Sequence, residues 1–288
     1  MPIRISVLVC ALGAALVLPA TAGAAERLYV SLGDSYATGY QATGPGKGRA
    51  TRKGYANLLV REARKRGHDF RLVNFGCGGE TTTSILRRKK ACAGPAVGGP
   101  RYAGRTQVAA ATRFLRRNRG KVGLVTISIG GNDVTRCVKE ADAVACVAEA
   151  VETVERNVRT LAKRVRKAAG PKVRIVGLTY PDVVLGDWVK GNQDLARLSV
   201  VAFRDLLNPA LKKRYEAVGG KFVDVTAATG AYDSLDELVA HDPYGEIPRP
   251  VADVCRLTYY CEFGDIHART SGYRLIAELI AATLPRRR

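Results

Sequence analysis

Apolar positions along the chain follow two periods. Short β-branched runs at 28–32, 70–75, 122–129, 173–178 and 221–225 read as strands. Between them apolar residues recur at helical spacing over Tyr55 to Arg66, Thr106 to Arg117, Ala141 to Ala168, Leu195 to Ala217 and Tyr273 to Leu284. The 141–168 stretch carries charge along its outer face. This alternation predicts an α/β fold, a three-layer α/β/α domain around a central, mostly parallel five-stranded sheet. No linker and no internal repeat interrupts it. Sheets of this kind bind ligands beyond the carboxyl ends of their strands. The segments that follow each strand are therefore where chemistry is expected.

The N-terminus is different in kind. Met1-Pro2-Ile3-Arg4 precedes an apolar run from Ile5 to Leu18 and a small-residue site at Ala22-Gly23-Ala24. This reads as a secretory signal over 1–24, followed by a single domain over 25–288 and an extracellular destination. The run, about 14 residues, is too short for a bilayer core of about 30 Å. Cys10 lies inside it, and Val7-Leu8-Val9 ahead of it lack the small residues of a lipidation site. Six cysteines remain: Cys77, Cys92, Cys137, Cys146, Cys255 and Cys261. An even count in an exported chain favours disulfides. The six fall in three close pairs. Cys77 with Cys92, Cys137 with Cys146 and Cys255 with Cys261 are therefore expected among the fifteen connectivities possible. Zinc ligation is the alternative, although no pair has Cys-x-x-Cys spacing and the chain has 3 His. Bridges over such short loops read as local staples.

A hydrophobic fraction of 47% and a charged fraction of 25% exclude a disordered chain, a collagen-like chain and a multi-span membrane protein. Charge is the unusual quantity: 46 basic residues against 26 acidic give +20. The clusters are Arg61 with Arg64 to Arg66, Arg87 to Lys90, Arg113 to Lys121, Arg156 to Lys167, and Arg286 to Arg288. Most fall on helices and read as solvated outer faces. The other reading is attraction to an anionic membrane or cell-wall surface. With 7% aromatic residues and no recognisable nucleic-acid module, nucleic acid is not an expected partner.

Four segments stand where the fold places ligands. Gly33-Asp34-Ser35 follows the first strand, and a serine there can sit at a helix start beside free N–H groups. Gly76-Cys77-Gly78-Gly79 follows the second, where adjacent glycines let backbone approach a ligand. Gly130-Gly131-Asn132-Asp133 follows the third and offers a neutral amide donor. Asp265-Ile266-His267 precedes the last helix. Each alone fits an ordinary turn or cap. His68 lies in a polar turn and reads as solvated, and His241 lies in a Pro-rich loop and reads as a surface residue.

Taken together and in this order, the four segments resemble the SGNH hydrolases, the GDSL-type lipases and esterases, over nearly the whole chain after the signal. The resemblance implies a flavodoxin-like sheet and Ser35 as nucleophile, with Tyr36 where a leucine often stands. It implies His267 as base and an oxyanion hole from Ser35, Gly79 and Asn132. The family commonly has an aspartate three positions before the histidine, and here that position is Gly264. Either Asp265 or a backbone carbonyl, such as that of Gly264, would orient the imidazole. The implied activity is a secreted, monomeric hydrolase of acyl or lipid esters that needs no metal or other cofactor. A carbohydrate O-deacetylase shares all four blocks, and a non-catalytic, basic surface-binding protein is a third reading. The chain lacks G-x-S-x-G, which disfavours the common α/β-hydrolase elbow. Segments 36–53, 82–105 and 180–195 are the expected walls of the acyl pocket.

Overall fold

The computed structural model describes residues 26–287. The expected signal segment, Cys10 within it, and Arg288 lie outside the described residues. Five strands form one sheet: β1 (Arg27–Gly33), β2 (Phe70–Asn74), β3 (Val122–Ser128), β4 (Arg174–Leu178) and β5 (Lys221–Val223). All pair in parallel, in the order β2-β1-β3-β4-β5. That is the doubly wound order of flavodoxin-like folds. Strands β1, β3 and β4 are buried almost throughout, which is why they appear in the sequence as apolar runs. Edge strand β5 is short and opens on exposed Lys221, a combination that resists unwanted pairing.

Successive side chains leave a strand on opposite faces. Tyr29, Leu124 and Val176 meet helices α1 (Tyr55–Arg64) and, at the C-terminus, Thr270–Ala282 on one face. Val30, Val125 and Ile175 meet α2 (Gln107–Arg117) and α3 (Ala143–Ala169) on the other. The long α3 buries Val154, Val158, Leu161 and Val165, a stripe at helical spacing. Its start is capped by the Asp142 side chain, which accepts from the Ala145 N–H.

Three differences from the expected elements matter. The helix expected over 195–217 is α4 (Gln193–Val201), a π-helical stretch (Ala202–Leu207) and α5 (Asn208–Glu216). The wider turn buries Phe203 and Leu207 and leaves Leu206 exposed, a local shift of facing typical of π-bulges. Helix α6 (Arg249–Leu257) was hidden by its prolines. Pro250 sits in its first turn, where a missing N–H costs nothing. Small antiparallel pairs join Tyr40–Gly44 to Lys47–Ala50 and Leu238–Ala240 to Glu246–Pro248.

Not every basic residue is a solvated one. Arg66 donates to Leu284 O at 3.0 Å and Arg166 to Val173 O at 2.6 Å. Both close the loops at the amino-terminal edge of the sheet. His68 also departs from expectation. It is 4% exposed, its Nε2 lies 2.7 Å from Pro285 O, and its ring stacks on Phe70.

The cysteines pair as expected: Cys77 with Cys92, Cys137 with Cys146, and Cys255 with Cys261. That leaves none of the six for zinc. Cys92 anchors the loop after β2, and Cys255 ties the buried face of α6 to the turn that precedes Asp265. Among the described residues no group of three or more His, Cys, Asp or Glu could hold a metal ion.

Gly33 is the tightest backbone point. Its φ is 140°, and a Cβ there would lie 2.1 Å from Ser128 O. Gly46 also has positive φ, at 64°, but faces open space. Gly33→Ala is expected to cost about 3 kcal/mol or more, and Gly46→Ala only about 1. Urea unfolding of the two variants beside the wild type measures the difference.

Candidate active site

At the end of β1 the chain turns from Gly33 through Asp34 into a one-turn helix, Ser35–Thr38. Asp34 caps it by accepting from the Tyr36 N–H at 2.9 Å. Gln107, from α2, clamps Gly33 on both sides. Its Oε1 accepts from the Gly33 N–H at 2.7 Å, and its Nε2 donates to Gly33 O at 2.9 Å. Ser35 is thereby held at the floor of a cleft also lined by Tyr36, Asn132, Tyr180, Phe203 and Ile266.

His267 reaches this floor from the short strand Asp265–Ala268. Its Nε2 lies 2.7 Å from Ser35 Oγ, and its Nδ1 lies 2.7 Å from Asp265 Oδ1. Residues two apart on a strand share a face, so Asp265 and His267 point the same way. The same carboxylate oxygen accepts from the His267 backbone N–H at 2.9 Å. Of the two groups that could orient the imidazole, the side chain of Asp265 is the one on Nδ1. Gly264 ends the preceding turn in a left-handed conformation, with its N–H on Tyr260 O. Burial pushes the Asp265 carboxyl up, but the hydrogen bond and charge of His267 outweigh it and hold the group below its ordinary value. Tyr36 fixes the strand by donating to Ile266 O at 2.6 Å, and the Tyr40 ring covers the imidazole at 4.3 Å between centroids.

The glycine block is tied to this turn by hydrogen bonds, and the asparagine block is tied to the glycine block through side chains. Cys77 N–H donates to Gly33 O at 3.0 Å. Asn74, closing β2, donates to Ala37 O at 2.7 Å and accepts from Gly76 N–H at 2.9 Å. Gly79 has a φ of 72°, which glycine adopts without strain. Asn132 Nδ2 donates to Glu80 O at 2.8 Å, which uses one of its two amide hydrogens. The Asp133 carboxylate accepts from the Thr82 N–H and hydroxyl at 2.9 and 2.6 Å. Among the described residues, neither the Ser35 nor the Gly79 N–H has a backbone acceptor.

A hydroxyl, an imidazole and a carboxylate in series, with the Asn132 amide lining the same cleft, are suited to acyl transfer. Residues 31–275 match the GDSL-like Lipase/Acylhydrolase family. The chain belongs to that family. It is a carboxylic ester hydrolase. Lipase 1 of Streptomyces coelicolor is 30% identical over 247 residues, covering 78% of this chain and 81% of the relative. The extracellular lipase of Streptomyces rimosus superposes with a TM-score of 0.54 at 19% identity, covering 90% of this chain and 100% of that one. An acetyl xylan esterase from Geobacillus stearothermophilus gives 0.50 at 18% identity, covering 89% and 93%. At those identities the two structures speak to the fold alone.

Several residues of this GDSL hydrolase carry more of the site than their sequence suggested. Tyr180, just past β4, donates to Asp34 Oδ2 at 2.5 Å while its ring packs on Gly131. The rule that drew attention to the other strand ends applies equally to this one. Gln107 stands on the apolar face of an amphipathic helix, and an amide on such a face is the signal that could have found it. Of the expected walls, 36–53 supplies Tyr40 and 180–195 supplies Tyr180 and Val183. Segment 82–105 does not line the cleft; Thr135 and Phe203 do.

Two buried acids set a pH dependence. Burial raises Asp34 from 3.8 to about 7, against the opposing bonds from Tyr180 and Tyr36. Burial likewise raises Asp182 to about 7, against Ser199 and Val184. A folded pKa above the unfolded one means the stability is present below pH 3.8 and is lost as pH rises to about 7. Asp182→Asn is expected to flatten that fall by up to about 1.4 kcal/mol per pH unit within the window. Urea unfolding of wild type and variant at stepped pH reads the slope, and parallel curves would contradict the assignment.

Proposed function

We propose that the protein is a secreted serine hydrolase that cleaves acyl esters through an acyl-enzyme formed on Ser35. The observation that carries this is the continuous contact from Ser35 Oγ to His267 Nε2 and from His267 Nδ1 to Asp265, each 2.7 Å. Ser35 Oγ attacks the ester carbonyl as its proton passes to His267 Nε2. Asp265 accepts the Nδ1 proton's hydrogen bond and stabilises the imidazolium. The tetrahedral oxyanion accepts from the Ser35 and Gly79 N–H groups and from the second hydrogen of the Asn132 amide. His267 then protonates the departing alcohol. Water, deprotonated by His267, attacks the acyl-serine and releases the acid.

The apolar walls Val183, Phe203 and Ile266 favour an acyl chain over an acetylated sugar. Three disulfides support work in an oxidising, extracytoplasmic setting.

Ser35→Ala and His267→Ala are each expected to lower kcat on nitrophenyl esters by about 10⁴-fold or more while the fold persists. Asn132→Ala should cost about 10²–10³. Asp265→Ala should cost at least about 10², and a loss under tenfold would return the orienting role to a backbone carbonyl. Extending the ester series from acetyl to long-chain acyl tests the substrate reading. Turnover confined to acetyl would favour a deacetylase.

A further inference from the structure

An apolar cavity of about 130 Å³ opens beside the Ser35 cleft. The two spaces share Thr135 and Phe203 as walls. The cavity is otherwise enclosed by side chains such as Val138, Val147, Val184 and Leu195. One side is the loop and helix stapled by Cys137–Cys146, and the other is α4 with its π-helical continuation.

Its mouth is where the surface becomes apolar. Val144, Leu198, Val201 and Leu206 are 59, 38, 43 and 42% exposed, and all four line this opening. Among the described residues only two other large hydrophobic side chains, Val97 and Leu238, are comparably exposed. Single exposed aliphatics are ordinary, but a ring of them around an apolar opening marks an interaction site. The segments that carry the rim are mixed in sign along the chain: Arg136, Lys139, Arg197 and Arg204 alternate with Glu140, Asp142, Asp194 and Asp205. Adhesion at the rim is therefore apolar, while the net charge of +20 draws the whole molecule to anionic surfaces.

We propose that the rim of Val144, Leu198, Val201 and Leu206 seats this enzyme on an anionic phospholipid surface. An acyl chain leaves that surface through the cavity and brings its ester to Ser35. The apolar lining of the cavity and its place next to the cleft, across Thr135 and Phe203, argue for an acyl chain as the occupant, and the net charge argues for an anionic surface. The proposal rests on the serine-hydrolase reading and adds to it a surface and a direction of entry.

The test uses the full chain with Val144→Asp/Leu206→Asp, and separately Leu198→Ser/Val201→Ser in case the first pair perturbs folding. Co-sedimentation with phosphatidylglycerol–phosphatidylcholine vesicles reads docking. Hydrolysis of nitrophenyl palmitate dissolved in those vesicles reads delivery, and nitrophenyl acetate in buffer reads the chemistry. Both variants are expected to bind vesicles and turn over the palmitate about tenfold less well, with acetate turnover unchanged. Unchanged binding and palmitate turnover would overturn the proposal. So would wild-type binding that vanishes at high salt, because attraction would then be purely ionic. A wild-type dimer that the variants split, seen by sedimentation, would assign the rim to a second copy instead. Ser35→Ala separates the two readings: it should abolish acetate turnover and leave vesicle binding intact. If it keeps turnover, the serine mechanism fails while the vesicle result still stands.

Discussion

The site hangs on the close passage of Gly33 beneath Ser128, where β1 leaves the sheet next to β3. A side chain at Gly33 would collide with the Ser128 carbonyl, and only its absence lets the chain turn there into the Ser35 helix. Gln107 then holds both backbone polar groups of Gly33, and Cys77 donates to the same carbonyl. The serine turn, glycine loop and asparagine loop thus share anchors at the carboxyl ends of adjacent parallel strands. Acyl transfer tolerates little misplacement of the reacting groups. Here the tolerance is set by the sheet, because each block is fastened within a few residues of a strand end.

Loops that carry chemistry are the segments of a fold with least intrinsic order. The three disulfides fall where that matters. Cys77, bridged to Cys92, lies two residues before Gly79. Cys137, bridged to Cys146, lies five after Asn132. Cys261, bridged to Cys255, lies six before His267. The serine block has no such bridge. It has instead the Gly33 packing, the Asp34 cap and the Tyr36 hydroxyl on Ile266 O. The serine block is therefore fastened by packing and hydrogen bonds, and the other three each have a covalent staple nearby.

Five strands, their order of appearance and most helices were legible because central parallel strands must be apolar on both faces and the covering helices on one. Ser35 and Asn132 stood out because they follow strand ends, and His267 because it stands beside an acidic residue just before the last helix; the structure brings Ser35 and His267 into contact. What escaped was set by tertiary contact. The place of Gln107 on an apolar helix face marks it as buried, but its partner, Gly33, is set only by the tertiary fold. His68 looked solvated because Gly67 and Asp69 flank it, yet the C-terminal segment around Pro285 covers it. The π-helical stretch at Ala202–Leu207 has a sequence that fits a regular helix, and its extra width appears only where Phe203 packs into the cleft. Helix α6 is masked in the sequence by Pro248 and Pro250, residues that end a helix interior but suit its start.

The two acids nearest Ser35 show how one site uses like groups differently. Asp265 faces an imidazole, a partner able to carry positive charge. Its carboxyl sits below the ordinary range despite burial. Asp34 adjoins Ser35 in sequence, where an unshielded negative charge would oppose the oxyanion of the proposed mechanism. It faces inward, where burial raises it to about 7, and its oxygens are occupied by the Tyr36 N–H and the Tyr180 hydroxyl. Its role is positional: it starts the helix that carries Ser35 and joins that helix to the Tyr180 ring on which Gly131 rests. Ser35 and the turn that carries Asn132 are thereby registered through one buried carboxyl.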